Sequence, residues 1–503
     1  MSYLDLLKLA APETILVLAA LAVLAADALA LRDVDLPLRR LIGAMIACAG
    51  CVAAAGWMLA LPQPAAALQG MLVVDPLTQF MKTVLLALTF LTILLSMDTE
   101  FTPHTGEYFA LVLFATVGMM FLVSSADVLM IFIALELTSL SLYILTAFNK
   151  RNVKSAEAAL KYFLFGGVAA AFTLFGLSWL YGITGSTNLA EISRAAAEEA
   201  LRAGTTSSGS PVHAIDPLLA GALVMTVVGF GFKIAAAPFH LWAPDAYEGA
   251  PTPSAALIAS GSKVAGFFIF AKVMVVGFAG LEGSVEWRHF VPGWTPVLAV
   301  MAALSMVLGN LAAIVQNSVR RLLAYSAIAH AGYLLLGIIS GKLGVVPLLY
   351  YVITYGLTTL GAFGVVSIVQ ARAGDCLSDF AGLSRRAPVL SFCMMIFMLS
   401  LAGIPPLAGF FGKFYLFTTL LDAGLPKLGS LWLVALAVGT SAVSLYYYLR
   451  VLKQIYVVET PAGAVVVPVP ILSQIVVTLL ALAVVILGCA PWLLMDRLVG
   501  AMM

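Results

Sequence analysis

Apolar runs of about 18–25 residues recur along the chain with polar breaks between them, and a helix of that length crosses a bilayer. The pattern predicts fourteen spans, at roughly 4–30, 38–60, 73–97, 108–125, 127–148, 156–182, 216–241, 251–280, 294–315, 320–340, 344–371, 388–420, 428–450 and 466–493. One connection is long, residues 183–215, where "EISRAAAEEALRAG" predicts a short surface helix and "TTSSGS" a flexible tether. The first apolar stretch, 9–31, exceeds the core of a signal peptide and holds Pro12 and Glu13, so it reads as a spanning helix that is retained.

Basic residues between the runs set the orientation. The loops after spans 1, 5, 9, 11 and 13 hold thirteen: Arg32, Arg39, Arg40, Lys150, Arg151, Lys154, Arg320, Arg321, Arg372, Arg385, Arg386, Arg450 and Lys453. The opposite side, with both termini, holds seven: Lys8, Arg194, Arg202, Arg288, Lys342, Lys427 and Arg497. Both termini are therefore expected outside the cytoplasm. The remaining six of the 26 lie inside spans, as Lys82, Lys161, Lys233, Lys263, Lys272 and Lys413. None is arginine. A fixed structural charge can be either type, but a group that must give up its proton has to be lysine.

A lysine at the bilayer centre costs about 2.5–3.5 kcal/mol on insertion scales, which makes it a functional candidate unless it snorkels from a helix end. Lys82 is placed for either. Lys263 and Lys272 are nine residues apart, two and a half helical turns, and so face opposite ways. Lys263, among the small residues of "ASGSKVAG", is the one expected in the interior. Glu136 sits mid-span in "FIALELTSL" and needs a partner, expected to be one of the lysines. Lys161, just inside span 6, belongs either to the pathway or to the basic surface beside it.

In "GFKIAAAPFHLW" (231–242), Pro238 has no N–H and crowds the Ile234 carbonyl four residues back, so a broken helix is expected beside Lys233. Irregular backbone at that depth is tolerated where it is buried in protein or lines a cavity. His240, seven residues past Lys233, is a candidate proton relay, with a satisfied core histidine as the alternative. "LAGIPPLAGFFGKFYLF" (401–417) repeats the device with Gly403, Pro405, Pro406, Gly409 and Gly412 ahead of Lys413. Two interrupted helices, each with a lysine, suggest paired half-transporters, with spans 4–8 and 9–13 as the pair. The expected division is 1–107 (three helices), 108–280 and 281–457 (two five-helix repeats) and 458–503 (C-terminal helix). His330 and Tyr333, one turn apart in "AYSAIAHAGYLLLG" (324–337), are either relay groups or a polar packing contact.

Composition narrows the class. Of 503 residues 62% are hydrophobic and 10% charged, against about 25% charged in soluble domains, so an all-α polytopic membrane protein is expected. A net charge of +1 argues against nucleic acid. The five cysteines are scattered; Cys48 and Cys51 form a C-x-x-C without the further ligands of a zinc or iron–sulfur site.

"FKIAAAPFHLWAPDAYEGAPTPSAALIASGSKVAGF", "LLAYSAIAHAGYLLLG" and "SLAGIPPLAGFFGKFYLF" resemble the antiporter-like membrane subunits of respiratory complex I over nearly the whole chain. Residues 134–166 and the lysine at 413 are like subunit N rather than M, which usually has glutamate there; subunit L has a lateral helix that is not seen here. The resemblance implies a proton channel of two half-channels and a hydrated axis in a bacterial inner membrane. It implies Glu136 paired with Lys233, Lys263 as central relay and Lys413 as the second broken-helix site. With Lys161, His240 and His330 these are the expected proton-transfer residues; no catalytic, metal or cofactor residue is expected. NADH, FMN, iron–sulfur clusters and quinone would lie in partner subunits. The competing readings are a subunit of a multi-subunit cation/proton antiporter or membrane-bound hydrogenase, and a scaffold held by Arg–acid pairs and unbroken helices.

Overall fold

The computed structural model describes all residues except 1–7, 61–64, 68–69, 204–215, 287–288, 425–428, 461–468 and 503. The TTSSGS tether lies outside the described residues. Helix starts follow polar caps at the ends of the apolar runs. Asp75 caps α3 (Pro76–Ser96) in a reciprocal box with Thr78, Asp127 caps α5 (Val128–Thr146), Asn152 caps α6 (Val153–Thr184) and Ser318 caps α13 (Val319–Ile339). The other long helices are α1 (Ala11–Ala25, continued by a π turn to Ala30), α2 (Leu36–Ala60), α4 (Thr105–Ser124), α12 (Trp294–Ile314), α14 (Val345–Gln370), α18 (Leu431–Tyr456) and α19 (Ile471–Cys489). Helix α7 (Leu189–Ala203) is the expected surface helix, and α20 (Trp492–Met502) closes the chain.

Twelve helices among the described residues are long and apolar enough to cross a membrane, and they coincide with twelve of the fourteen expected spans. The other two expected spans are the interrupted ones. Residues 216–241 form α8 (Pro217–Lys233) followed by irregular chain and the short α9 (Trp242–Gly249). Residues 388–420 form α16 (Pro388–Ala402) and α17 (Ala408–Ala423). Span 8, expected as unbroken, is itself interrupted. Ser260, at φ −110° and ψ −83°, separates α10 (Thr252–Ala259) from α11 (Gly261–Lys272), and a π turn follows at Val273–Gly277. The small residues around Ser260 leave room for a bend against neighbouring backbone, a property that reads in sequence as close packing alone.

Two short hairpins went unread: β1 (Ala65–Ala67) pairs with β2 (Leu72–Val74), and β3 (Ser284–Glu286) with β4 (His289–Val291), both antiparallel. The remaining short element is α15 (Leu383–Arg386). Burial is graded around an axis. Residues 252–271 are wholly buried, with Val319–Ile339 and residues 347–369 nearly so. By contrast α6 turns Leu160, Phe163, Leu164, Val168 and Phe172 outward, the apolar surface that lipid or a neighbouring helix requires.

Candidate functional site

α8 stops at Lys233, as Pro238 dictates. Ala235 takes φ 55°, a left-handed conformation that costs a residue with a Cβ about 1–2 kcal/mol. Several of the freed backbone groups find new partners. Ala236 N–H donates to the Gly231 carbonyl at 2.9 Å and Ala237 N–H to Ser305 Oγ at 2.8 Å. The Ile234 carbonyl accepts from Lys263 Nζ at 2.8 Å, and the same ammonium donates to the Ala327 carbonyl of α13 at 3.0 Å. Lys233 Nζ donates to Ser139 Oγ of α5 at 3.1 Å.

The second break has the same logic. Gly403 ends α16 at φ 86°, and its N–H and that of Ile404 both return to the Leu399 carbonyl, at 3.1 and 3.0 Å. Lys413 Nζ, from α17, donates to the Leu401 carbonyl at 3.0 Å, the Ala402 carbonyl at 3.1 Å and Ser441 Oγ at 2.8 Å. It also lies 5.0 Å from the centre of the Tyr333 ring, a cation–π contact. Each interrupted helix thus ends in carbonyls held by a lysine from another segment.

His330 stands between the two breaks. Its Nδ1 is 2.6 Å from Tyr351 Oη and its Nε2 3.1 Å from Tyr448 Oη, and Tyr448 in turn bonds Ser326 Oγ. One ring nitrogen of a neutral imidazole donates and the other accepts, so this histidine links two hydroxyls whichever tautomer it holds. It lies one turn from Ala327, whose carbonyl Lys263 holds, while the Tyr351 ring packs on Gly412, the residue before Lys413. Tyr333 belongs to a neighbouring branch: Asn310 Nδ2 donates to Tyr333 Oη (3.2 Å), which reaches Thr440 (3.3 Å), and Tyr447 Oη donates to Asn310 Oδ1 (2.9 Å).

Lys233, Lys263 and Lys413 are 5%, 2% and 4% exposed, and none of the three has a carboxylate in direct contact among the described residues. The oxygens around each amine accept hydrogen bonds from its charged or its neutral form. Glu136 and Lys233, expected as a pair, lie within electrostatic reach of each other without a direct ion pair. Glu136 is half-buried and shares its helix face with Ile133 and Leu140, both about half exposed, whereas Lys233 takes Ser139 on the inner face.

The other expected residues divide. Lys161 is a surface residue, with its side chain 40% exposed between Glu157 (2.7 Å) and Asp245 (2.8 Å). His240 is half-buried beyond the break, with Nδ1 lacking a hydrogen-bond partner; because the helix ends at Lys233, helical spacing does not carry it to that lysine's face. Lys82 is not snorkelling. Its Nζ lies 2.7 Å from Glu13 Oε1, both side chains are buried, and neither carboxylate oxygen has a donor in good hydrogen-bond geometry. Lys272, half-buried in the last turn of α11, faces Asp75.

Arg–acid pairs, the expected mark of the scaffold reading, do occur. Arg39 pairs with Asp27, Arg40 with Glu100 (3.1 Å), Arg320 with Asp375 (2.7 Å) and Arg321 with Asp245 (2.7 Å). All lie at the arginine-rich face rather than at mid-span, where residues distant in sequence meet. Burial alone would raise Asp245 and Glu248 of α9, but hydrogen bonds from Lys161 and Arg321 to the first, and from Lys154 and Arg321 to the second, hold both below the usual carboxylate range. Reasoning from sequence missed Glu13, Ser139, Asn310, Tyr351, Tyr448 and Ser441. Their only signal is a polar atom inside an apolar run.

Residues 125–444 match the family described as "NADH:quinone oxidoreductase/Mrp antiporter, TM". A protein of Acidobacterium capsulatum named NADH-quinone oxidoreductase subunit N 2 is 52% identical, over 99% of this chain and 99% of its own. A chain in the structure of respiratory complex I from Thermus thermophilus with bound aureothin has a TM-score of 0.77 at 33% identity, covering 97% of this chain and 99% of its own. A chain of the Mrp complex from Dietzia sp. DQ12-45-1b has a TM-score of 0.78 over 98% and 96%, at 21% identity, a likeness of fold.

Proposed function

Since the chain belongs to the NADH:quinone oxidoreductase/Mrp antiporter family, and within it to NADH-quinone oxidoreductase subunit N, we propose that it carries protons across the membrane within that enzyme. The observation that supports this is the file Lys233, Lys263, His330, Lys413. In it, buried nitrogen bases, each held on its own carbonyl or hydroxyl oxygens, stand at two helix breaks and on the segment between them. A lysine can cycle between ammonium and amine, and a histidine between imidazolium and imidazole, so a proton can be handed along the file without an ion having to cross. Glu136, on the outer side of Lys233, supplies a charge whose state biases the first member.

The electrons pass from NADH to quinone in partner subunits, which also hold the flavin and iron–sulfur groups; this chain contributes no redox centre. The arginine-rich face is cytoplasmic and both termini lie outside, in a bacterial inner membrane. The two five-helix units, 108–280 and 281–457, act as paired half-channels, each with one broken helix, flanked by the three-helix segment 1–107 and the C-terminal segment 458–503. The cation/proton antiporter reading rests on the breadth of the shared family and on likeness of fold, whereas the relative at 52% identity is named as subunit N.

The test compares arginine with methionine at Lys263 and Lys413, using NADH-driven acidification of inverted vesicles with assembly checked on native gels. Arginine keeps the charge and cannot release its proton, so both arginine variants are expected to lose at least tenfold in pumping, nearly as much as the methionine variants. Arginine variants that pump at near-normal rates, beside dead methionine variants, would show that fixed charge suffices and sink the relay.

A further inference from the structure

At the arginine-rich face a vestibule of about 880 Å³ opens among the α3–α4 loop, the start of α10, the ends of α13 and α14 and the start of α19. Charges of both signs line it, among them Arg40, Asp98, Glu100, Arg320 and Arg372. Its inner wall carries Thr252, which donates to Gln370 Oε1 at 2.5 Å, and Ser367.

Directly inward the structure holds hydroxyls without partners. Ser367, Tyr247 and Tyr355 are each at least nine-tenths buried, and none of their side-chain oxygens has a hydrogen-bond partner in the protein; Ser254, equally buried, faces the Tyr108 phenol. Ser254 lies two residues into α10 from Thr252. The Tyr247 ring stands edge-on to Phe363 at 5.8 Å, one turn of α14 inward from Ser367. The Tyr355 ring lies 5.0 Å from that of His330 and within electrostatic reach of the Tyr247 phenol. From Ser367 to Tyr355 the helix descends about 18 Å, roughly half a bilayer. Buried polar groups are as a rule hydrogen-bonded, and a run of open hydroxyls over that distance suits ordered water.

The route past the α8 break is built differently. There α9 is packed shut, with Trp242 stacked on Tyr162 at 4.1 Å and donating to the Phe232 carbonyl, under the ion pairs of Lys154, Lys161 and Arg321 with Asp245 and Glu248.

Building on the proton-relay reading, we propose that the vestibule is the proton-uptake mouth, and that Ser254, Tyr247 and Tyr355 carry protons on bound water from it to His330 and Lys263. Each hydroxyl accepts a proton from a water on the vestibule side while donating its own inward, so charge moves and no side chain stays ionised.

Ala371, exposed and lining the vestibule, gives a test that does not disturb the interior. In assembled enzyme carrying Ala371→Cys, inverted vesicles are treated with a cationic or an anionic thiol reagent and NADH-driven proton uptake is followed against pH. The unmodified chain, whose exposed Cys376 lies outside the vestibule lining, is the control. A positive charge in the mouth repels protons, so the cationic reagent is expected to slow uptake at least threefold and move the pH profile to lower pH. The anionic reagent is expected to slow it less and move the profile the other way. Mere obstruction would ignore sign. Tyr247→Phe and Tyr355→Phe, which remove one oxygen each, are expected to slow pumping at least threefold in fully assembled enzyme. The proposal is overturned if both reagents leave the rate unchanged or act equally, or if both phenylalanine variants pump normally. With Lys263→Met dead in the same assay that result removes the mouth and keeps the relay; with Lys263→Met normal it removes both.

Discussion

Lysine and arginine divide this molecule between them by depth. Arginines pair with acids at the loop ends, while the bases at mid-span are lysines on carbonyl and hydroxyl oxygens. That division was legible in the sequence, because it depends on residue type and on distance from a span end. The Ile234 carbonyl was also legible as a freed acceptor, from the position of Pro238 alone. Which base would take it was not, since Lys263 reaches it from 29 residues away. Glu136 shows the limit most clearly: its depth was read correctly, but not the side of α5 it faces, which depends on neighbours. In the proposed relay it acts on Lys233, from its half-buried place one turn from Ser139, through the field rather than by contact. Glu136→Gln is therefore expected to lower coupled NADH–quinone turnover by a few fold while the complex assembles normally. Wild-type turnover in assembled complex would remove Glu136 from the mechanism.

Among the elements, the interrupted helices hold the bases of the proposed relay, and their interruption has two chemistries. Proline starts the first, since its ring denies the helix a donor. Glycine completes the second, where an ideal Cβ on Gly409 would lie 1.9 Å from the Ser400 carbonyl oxygen. Gly409→Ala must push α17 off the end of α16, and overpacking of this kind costs about 1–3 kcal/mol. Thermal unfolding of the complex in detergent should show a lower midpoint for the variant, with Gly439→Ala, which meets open space, unchanged. An unshifted Gly409→Ala would mean that the break is loosely held. Both of these breaks were announced by proline, Pro238 at the first and the Pro405–Pro406 pair at the second. The break at Ser260 was not, because serine and glycine permit a bend without requiring one, and what bends the chain there is the packing around it.

For the whole molecule, the alternation of long apolar runs was enough to read an all-α membrane protein, and twelve of the fourteen expected spans coincide with helical segments long and apolar enough to cross a membrane. The vestibule had no sequence signal, because its wall joins residues as far apart as Arg40 and Ser473. Sidedness rests on loop charge and can be measured directly. Cys376 is exposed at the arginine-rich face, and Glu191 is exposed on α7 at the other. An impermeant thiol probe should label Cys376 only in inverted vesicles, and Glu191→Cys, in a Cys376→Ser background, only in right-side-out ones. Labelling of both from one side would end this topology.

The two carbonyls held by Lys263 also bear on how the chain is made. Ile234 precedes the lysine, but Ala327 follows it by 64 residues. At about 5–20 residues per second, a ribosome needs some 3–13 s to deliver the second acceptor. Through that interval the newborn α11 presents a half-solvated cation to the insertion machinery. Release into lipid then carries a penalty of the order given for a central lysine, about 2.5–3.5 kcal/mol, until α13 arrives. The central base is thus the seam between the two halves of the chain, since it takes one acceptor from each.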